Sequence, residues 1–150
     1  MLSATAEHAV RALIQLAVLG VNGSVTGKQL SCTAGIPPNY LSKILCLLGH
    51  AGMIHATRGS HGGYQLVWDA AQIRLTDVVN LFDHARWRKG CFLDCGRDCK
   101  EADQCGAHSG WQECRDVFER FLDRTTIAAL AAPIPVPPLV TPQWKGRRAS

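Results

Sequence analysis

Thr26-Gly27-Lys28-Gln29-Leu30-Ser31-Cys32-Thr33-Ala34-Gly35-Ile36-Pro37-Pro38-Asn39-Tyr40-Leu41-Ser42-Lys43-Ile44-Leu45 is the stretch that decides the fold. Thr26 with Gln29 three positions later is a capping box, which satisfies orphan amides at a helix start. The helix that it opens carries Leu30 and stops at Ala34-Gly35. Pro37-Pro38 opens the next helix, because proline in a first turn gives up no intrahelical hydrogen bond. That helix runs to about Leu48, with Leu41, Ile44, Leu45 and Leu48 as its apolar stripe. Asn39, Ser42, Lys43 and Cys46 fall on the other face. Two short helices around a tight turn containing glycine make a helix-turn-helix.

Working outward, Met53–Arg58 and Gly63–Trp68 read as paired strands, with Gly59-Ser60-His61-Gly62 as the hairpin tip. A helix-turn-helix followed at once by a hairpin is a winged helix. Upstream, residues 4–21 read as a helix with Val10, Leu13, Ile14, Ala17 and Val21 on one face. Downstream, a short helix begins at Leu75-Thr76, capped by Thr76, and carries Val78, Val79, Leu81 and Phe82. From Ser109 to about Leu130 a last helix places Trp111, Cys114, Phe118, Phe121 and Thr125 at the spacing of a helix–helix seam. The natural partner for that seam is the same helix of a second copy, giving a homodimer; packing on the chain's own core is the other reading. From Ala131 onward the chain holds five of its seven prolines and ends near Lys145, Arg147 and Arg148, the composition of a disordered tail. The expected class is mainly α with a small β-hairpin wing. It divides into a winged helix-turn-helix DNA-binding domain over 1–84, a cysteine-rich loop over 85–108, a dimerisation helix over 109–130 and a tail over 131–150.

The 150 residues are 47% hydrophobic, enough for a buried core. No apolar run approaches the roughly 20 residues needed to span a bilayer, and no secretory signal pattern is present. The expectation is a cytoplasmic protein with no membrane association. Residues 1–90 carry eight Lys/Arg against four Asp/Glu, and residues 91–130 carry five against eight. A basic front and an acidic back fit a nucleic-acid face set apart from an assembly or sensing region.

A recognition helix reads the major groove with its N-terminal residues and exposed face. Here those are Asn39, Tyr40, Ser42 and Lys43. Asparagine can pair with an adenine edge, while Tyr, Ser and Lys reach phosphates or bases. Arg58 and His61 sit on the wing tip, suited to a narrow minor groove, and Lys28 on the preceding helix is a candidate phosphate contact. The expected partner is a double-stranded DNA operator. The bland alternative is a winged helix used for protein contacts, with these side chains merely solvated.

Seven cysteines, an odd number, argue in a reducing compartment for metal or redox chemistry over a disulfide framework. Cys91, Cys95, Cys99 and Cys105 fall within fifteen residues, with His108 shortly after. Thiolates suit iron–sulfur clusters and zinc. Structural zinc sites usually pair CxxC knuckles, and none occurs here, so the spacing suits an iron–sulfur cluster better than zinc. Zinc and an unligated thiol switch remain the other readings. No dinucleotide glycine motif, nucleophile elbow or CxxC redox pair is present, so no enzyme is expected.

Taken together, these motifs resemble the Rrf family of bacterial winged-helix regulators. The resemblance runs over residues 1 to about 130. It is carried by Thr5-Ala6-Glu7-His8-Ala9-Val10-Arg11-Ala12-Leu13, by Tyr40-Leu41-Ser42-Lys43-Ile44-Leu45, and by Arg58-Gly59-Ser60-His61-Gly62-Gly63-Tyr64. The cysteine loop, the Trp111 helix and Thr126-Ile127-Ala128-Ala129-Leu130 complete it. The resemblance implies a DNA-binding transcriptional regulator, usually a repressor, that senses iron, redox state or nitric oxide through a 2Fe–2S or 4Fe–4S cluster. It implies that Cys99 and Cys105, whose five-residue gap matches the family pattern, are ligands with Cys91 as the third. Cys95 is extra and can substitute for Cys91 or add a fourth thiolate. Family branches differ in the fourth ligand: His108 matches a histidine after the last cysteine, and Glu7 matches a carboxylate on the first helix. Glu7 is the favoured of the two, because a carboxylate on the first helix would tie the cluster directly to the DNA-binding region.

Overall fold

The computed structural model describes residues 2–20, 23–59, 62–83 and 106–132. Their elements surround one helix. This is α1 (Ala4–Leu19), which starts where Ser3 turns extended and its hydroxyl oxygen accepts from the Ala6 amide. Its buried residues are Ala6, Ala9, Val10, Ala12, Leu13 and Leu16, half of them alanine. Small side chains let neighbours approach from several directions, so the buried face is wider than a one-sided stripe. Ile14 and Ala17, expected in that stripe, are only half-buried, and Val21 lies outside the described residues.

The capping box predicted at Thr26 forms. Thr26 Oγ1 accepts from the Gln29 amide at 3.2 Å, and Gln29 Oε1 accepts from the Thr26 amide at 3.0 Å. The helix α2 (Gly27–Ala34) ends at Gly35, whose φ of 66° is a left-handed conformation that favours glycine. The Ser31 hydroxyl then donates to the Ile36 carbonyl at 2.6 Å, holding the turn closed over the buried Ile36 side chain. From there α3 (Pro38–His50) runs with Leu41, Ile44, Leu45 and Leu48 buried, the stripe read from the sequence.

The wing is an antiparallel hairpin of β1 (Ile54–Thr57) and β2 (Gly63–Leu66), with Ile54 opposite Leu66 and Thr57 opposite Gly63. Both strands are shorter than their sequence pattern, although the Val67 amide still donates to the Met53 carbonyl at 3.0 Å. A third segment, absent from the sequence reading, flanks β2. Val25 and Tyr64 exchange two backbone hydrogen bonds of 2.9 and 2.8 Å, tying the start of the helix-turn-helix to the wing. The closeness demands glycine next door, since a Cβ on Gly63 would stand 2.7 Å from the Val25 carbonyl oxygen. Gly63→Ala should therefore cost about 1–3 kcal/mol of stability, the usual size of an overpacking penalty. Gly49, in open space on α3, is the control. Alanine there should be neutral or stabilising by up to about 1 kcal/mol in the same urea titration.

Beyond the wing lies α4 (Leu75–Asp83). Thr76 does not cap it but lies inside, and the Asp77 carboxylate instead accepts from the Arg74 amide at 3.2 Å. The single helix expected over 109–130 is two: α5 (His108–Arg124) and α6 (Ile127–Ala131). Thr125 and Thr126 are extended between them. Their backbone pairs elsewhere: the Leu75 amide donates to Thr125 O at 2.9 Å, and the Ile127 amide donates to Ile73 O at 2.9 Å. The Thr126 hydroxyl oxygen also accepts from the Ala129 amide, capping α6. Long-range pairing and a side-chain cap thus outcompete continuation of one helix. As a result α6 is folded onto α1, and Ile127 joins Leu13, Leu16 and Leu48 in a core that no local pattern at residue 127 announces.

Candidate DNA-binding face and sensing residues

The apolar side of α3 faces inward, so its first turns present Asn39, Tyr40, Ser42 and Lys43 to solvent. The Ser42 hydroxyl donates to the Pro38 carbonyl at 2.9 Å, leaving its lone pairs outward as acceptors. Lys28, in the first turn of α2, is exposed beside a groove of about 400 Å³ lined by Ser31, Cys32, Ser42 and Tyr64. Arg58 is exposed directly after β1, next to Gly59, whose φ of 113° requires glycine. Lys28, Lys43 and Arg58 make no ion pair among the described residues. Three unneutralised cations on α2, α3 and the wing suit a polyanionic surface. His61, the other wing-tip candidate, lies outside the described residues.

Tyr40 differs from its neighbours. Its hydroxyl shares a hydrogen bond of 2.5 Å with the Thr5 hydroxyl, and its ring meets His8 edge-on at 5.5 Å. It is held to α1 while keeping 37% of its surface exposed.

Of the candidate sensing residues, Cys91, Cys95, Cys99 and Cys105 lie outside the described residues. Glu7 points outward from α1 and is paired with Arg11 one turn on, both about half exposed. An exposed i,i+4 pair contributes only about 0.3–0.5 kcal/mol, so this carboxylate can be given to a stronger partner. His108 opens α5 and is half-buried. Among the described residues no three His, Cys, Asp or Glu side chains converge. The described donors, an available carboxylate and an imidazole, are chemically suited to complete a three-thiolate cluster. Cys32, Cys46 and Cys114 are free and exposed. Cys114, read as part of the α5 seam, lies exposed beside Trp111 in a shallow apolar depression.

The seam on α5 is also rearranged. Phe118 packs against the chain's own core and Leu122 is fully buried, whereas Val117 and Phe121 are 53% and 51% exposed. The outward apolar face is therefore Trp111, Cys114, Val117 and Phe121, with Phe121 stacked on Phe118 at 6.3 Å. The expected stripe had placed Phe118 and Thr125 there. Instead Phe118 packs on the core, and Thr125 is half-buried with its carbonyl engaged by the Leu75 amide.

Residues 2–133 match a family model described as Rrf2, an iron-dependent transcriptional regulator. The chain belongs to the Rrf2 family. Among its relatives is the HTH-type transcriptional regulator IscR of Cronobacter sakazakii, 30% identical over 129 residues, covering 86% of this chain and 78% of that protein. The solved structure of CymR, described as the global cysteine regulator of B. subtilis, superposes with a TM-score of 0.73 at 23% identity, over 87% of this chain and 95% of that one. CymR of Staphylococcus aureus is 26% identical with a TM-score of 0.68, over 88% and 98% of the two chains. These likenesses place the Rrf2 chain among winged-helix transcriptional regulators. No helix among the described residues of this Rrf2 protein is long and apolar enough to cross a membrane.

The sequence reading missed two anchors in this Rrf2 chain, Ser3 and Asp83. The Asp83 carboxylate, 7% exposed, accepts from the Ser3 amide at 3.0 Å and from the Ser3 hydroxyl. Ser3 ahead of a periodic helix was readable as an N-cap. Asp83 carried no local signal, because its partner is 80 residues away.

Proposed function

We propose that this Rrf2-family chain is a cytoplasmic, homodimeric repressor that binds a palindromic double-stranded operator and senses iron, redox state or nitric oxide. In this reading Asn39, Tyr40, Ser42 and Lys43 enter the major groove, while Arg58 and His61 reach the minor groove and Lys28 a phosphate. The observation that carries it is the shared exposure of Lys28, Lys43 and Arg58 on the helix-turn-helix and its wing, with no ion pair to any of them among the described residues. Cys91, Cys99 and Cys105 would hold a 2Fe–2S or 4Fe–4S cluster, with Glu7 or His108 as the fourth ligand and Cys95 as the alternative thiolate. When bound, such a cluster supplies a redox- and nitric-oxide-reactive centre. The family's description as iron-dependent and the relatives named IscR support this side of the reading.

Operator titrations across salt test the DNA face. Removing a cation that neutralises one phosphate should lower the slope of log K against log salt by about one unit, so Lys43→Ala and Arg58→Ala should each show that drop. Parent-like slopes in both variants would show that the face is misassigned. A second reading, a winged-helix regulator with a thiol switch or a zinc loop, is favoured by the exposed thiols and by the likeness to CymR, whose S. aureus form has also been solved oxidized. A colourless, zinc-free protein whose operator affinity depends on oxidant would establish the thiol switch. A colourless protein with stoichiometric zinc would establish the zinc loop.

A further inference from the structure

We propose that the first turns of α1 form a relay that couples the end of α4 to the start of α3, with Ser3, Thr5, Tyr40 and Asp83 as positioning residues. The idea deepens the function proposed above, since it rests on α3 being the helix presented to DNA. One end of the relay is the buried Asp83 carboxylate, which accepts from the Ser3 amide at 3.0 Å and from the Ser3 hydroxyl. The same hydroxyl oxygen accepts from Ala6 N at 3.1 Å, so one serine both caps α1 and receives α4. The carboxylate therefore sits at the positive end of the α1 dipole, where a negative charge is favoured. Once buried, it is costly to leave without these donors. The other end is Tyr40, whose hydroxyl meets Thr5 at 2.5 Å and whose ring meets His8 at 5.5 Å.

Ser3, Thr5 and His8 lie within the first turns of one helix, and neither connection is local, spanning 80 and 35 residues. A closely packed helical turn moves as a unit and passes a displacement on, because packed interiors yield little. Asp83 also ends α4, two positions before the cysteine-rich loop read over 85–108, and Cys91 follows eight positions later in the sequence. A shift of Asp83 is thereby delivered to the turn where Tyr40 and Leu41 both donate to the Pro37 carbonyl, at 3.0 and 2.9 Å. This is the turn that orients Asn39, Ser42 and Lys43. Tyr40 thus positions α3 in addition to any contact it makes with DNA.

Amide hydrogen exchange on the full-length chain reads the relay without DNA. Asp83→Asn should speed exchange at Tyr40 and Leu41 by roughly three- to tenfold, the effect of weakening one or two hydrogen bonds, and leave Leu48 unchanged. Tyr40→Phe keeps the ring but cuts the hydroxyl link. It should speed the same amides, and adding Asp83→Asn to it should do nothing more. Parent rates at Tyr40 and Leu41 in Asp83→Asn, or multiplying effects in the double variant, overturn the relay. If Asp83→Asn also speeds Leu48, the gentler pair Ser3→Ala and Tyr40→Phe decides, again by whether their effects fail to multiply. Operator binding separates the two ideas. Non-additive exchange with parent-like salt slopes in Lys43→Ala and Arg58→Ala removes the DNA face and spares the relay, whereas altered slopes with multiplying exchange effects remove only the relay.

Discussion

Alanine at Cys91, Cys99 or Cys105 is expected to abolish the visible absorption of protein purified without oxygen, while Cys46→Ala, Cys95→Ala and Cys114→Ala retain it. The reason lies in the chemistry of the donors. A thiolate is a strong ligand for iron, and in the proposed cluster its loss would leave one iron short of a donor, with Cys95 the one neighbouring thiolate that could stand in for Cys91. Cys46 is accounted for locally, its Sγ 3.5 Å from His50 Nδ1 and its carbonyl accepting from that ring at 2.8 Å. Cys114 is exposed on the outward face of α5. Bleaching by Cys95→Ala with colour kept in Cys91→Ala would move the first thiolate to Cys95. The fourth position is a separate comparison. We expect Glu7→Ala to alter the spectrum and His108→Ala to leave it, because the Glu7 carboxylate is committed only to a weak exposed pair with Arg11. The opposite pattern would assign His108.

The second large effect is on assembly. Phe121→Asp should convert dimers to monomers in sedimentation at micromolar concentration and, with them, remove most operator affinity. Phe121 is half exposed within a single chain, and with Trp111 and Val117 it forms an apolar face. Burying an unpaired carboxylate in that face should cost about 3–5 kcal/mol, or roughly two to four orders of magnitude in dimer dissociation. Operator binding should follow, because two recognition helices must reach half-sites about one helical turn, roughly 34 Å, apart. Phe118→Asp is the poorer probe, as Phe118 also packs on the chain's own core and its loss would confuse unfolding with dissociation. A Phe121→Asp protein that stays dimeric would show that the copies meet elsewhere.

Much of this was readable from residues alone, where the information is local. Thr26 and Gln29 are three positions apart, so a capping box and the start of α2 follow from their chemistry. Pro37-Pro38 and the Leu41, Ile44, Leu45, Leu48 stripe determine where α3 begins and which side it buries, and hence that Asn39, Ser42 and Lys43 face outward. The glycines around residues 59–63 likewise determine a hairpin after the helices. What only the tertiary structure decided involves partners far apart in the chain. Helical spacing over 109–130 is indifferent to a break, and the break at Thr125-Thr126 exists because Ile73 and Leu75 supply backbone partners about 50 residues away. Packing of the stacked helices likewise decides that Phe118 meets the core while Val117 and Phe121 stay exposed. Tyr40 has the composition of a DNA contact, yet Thr5 and His8 claim its hydroxyl and ring edge, and Asp83 gains its role only when α4 meets the cap of α1. Periodicity and capping are determined within a turn or two of chain. Which groups lie within hydrogen-bond reach across 35 or 80 residues is determined by how the helices stack.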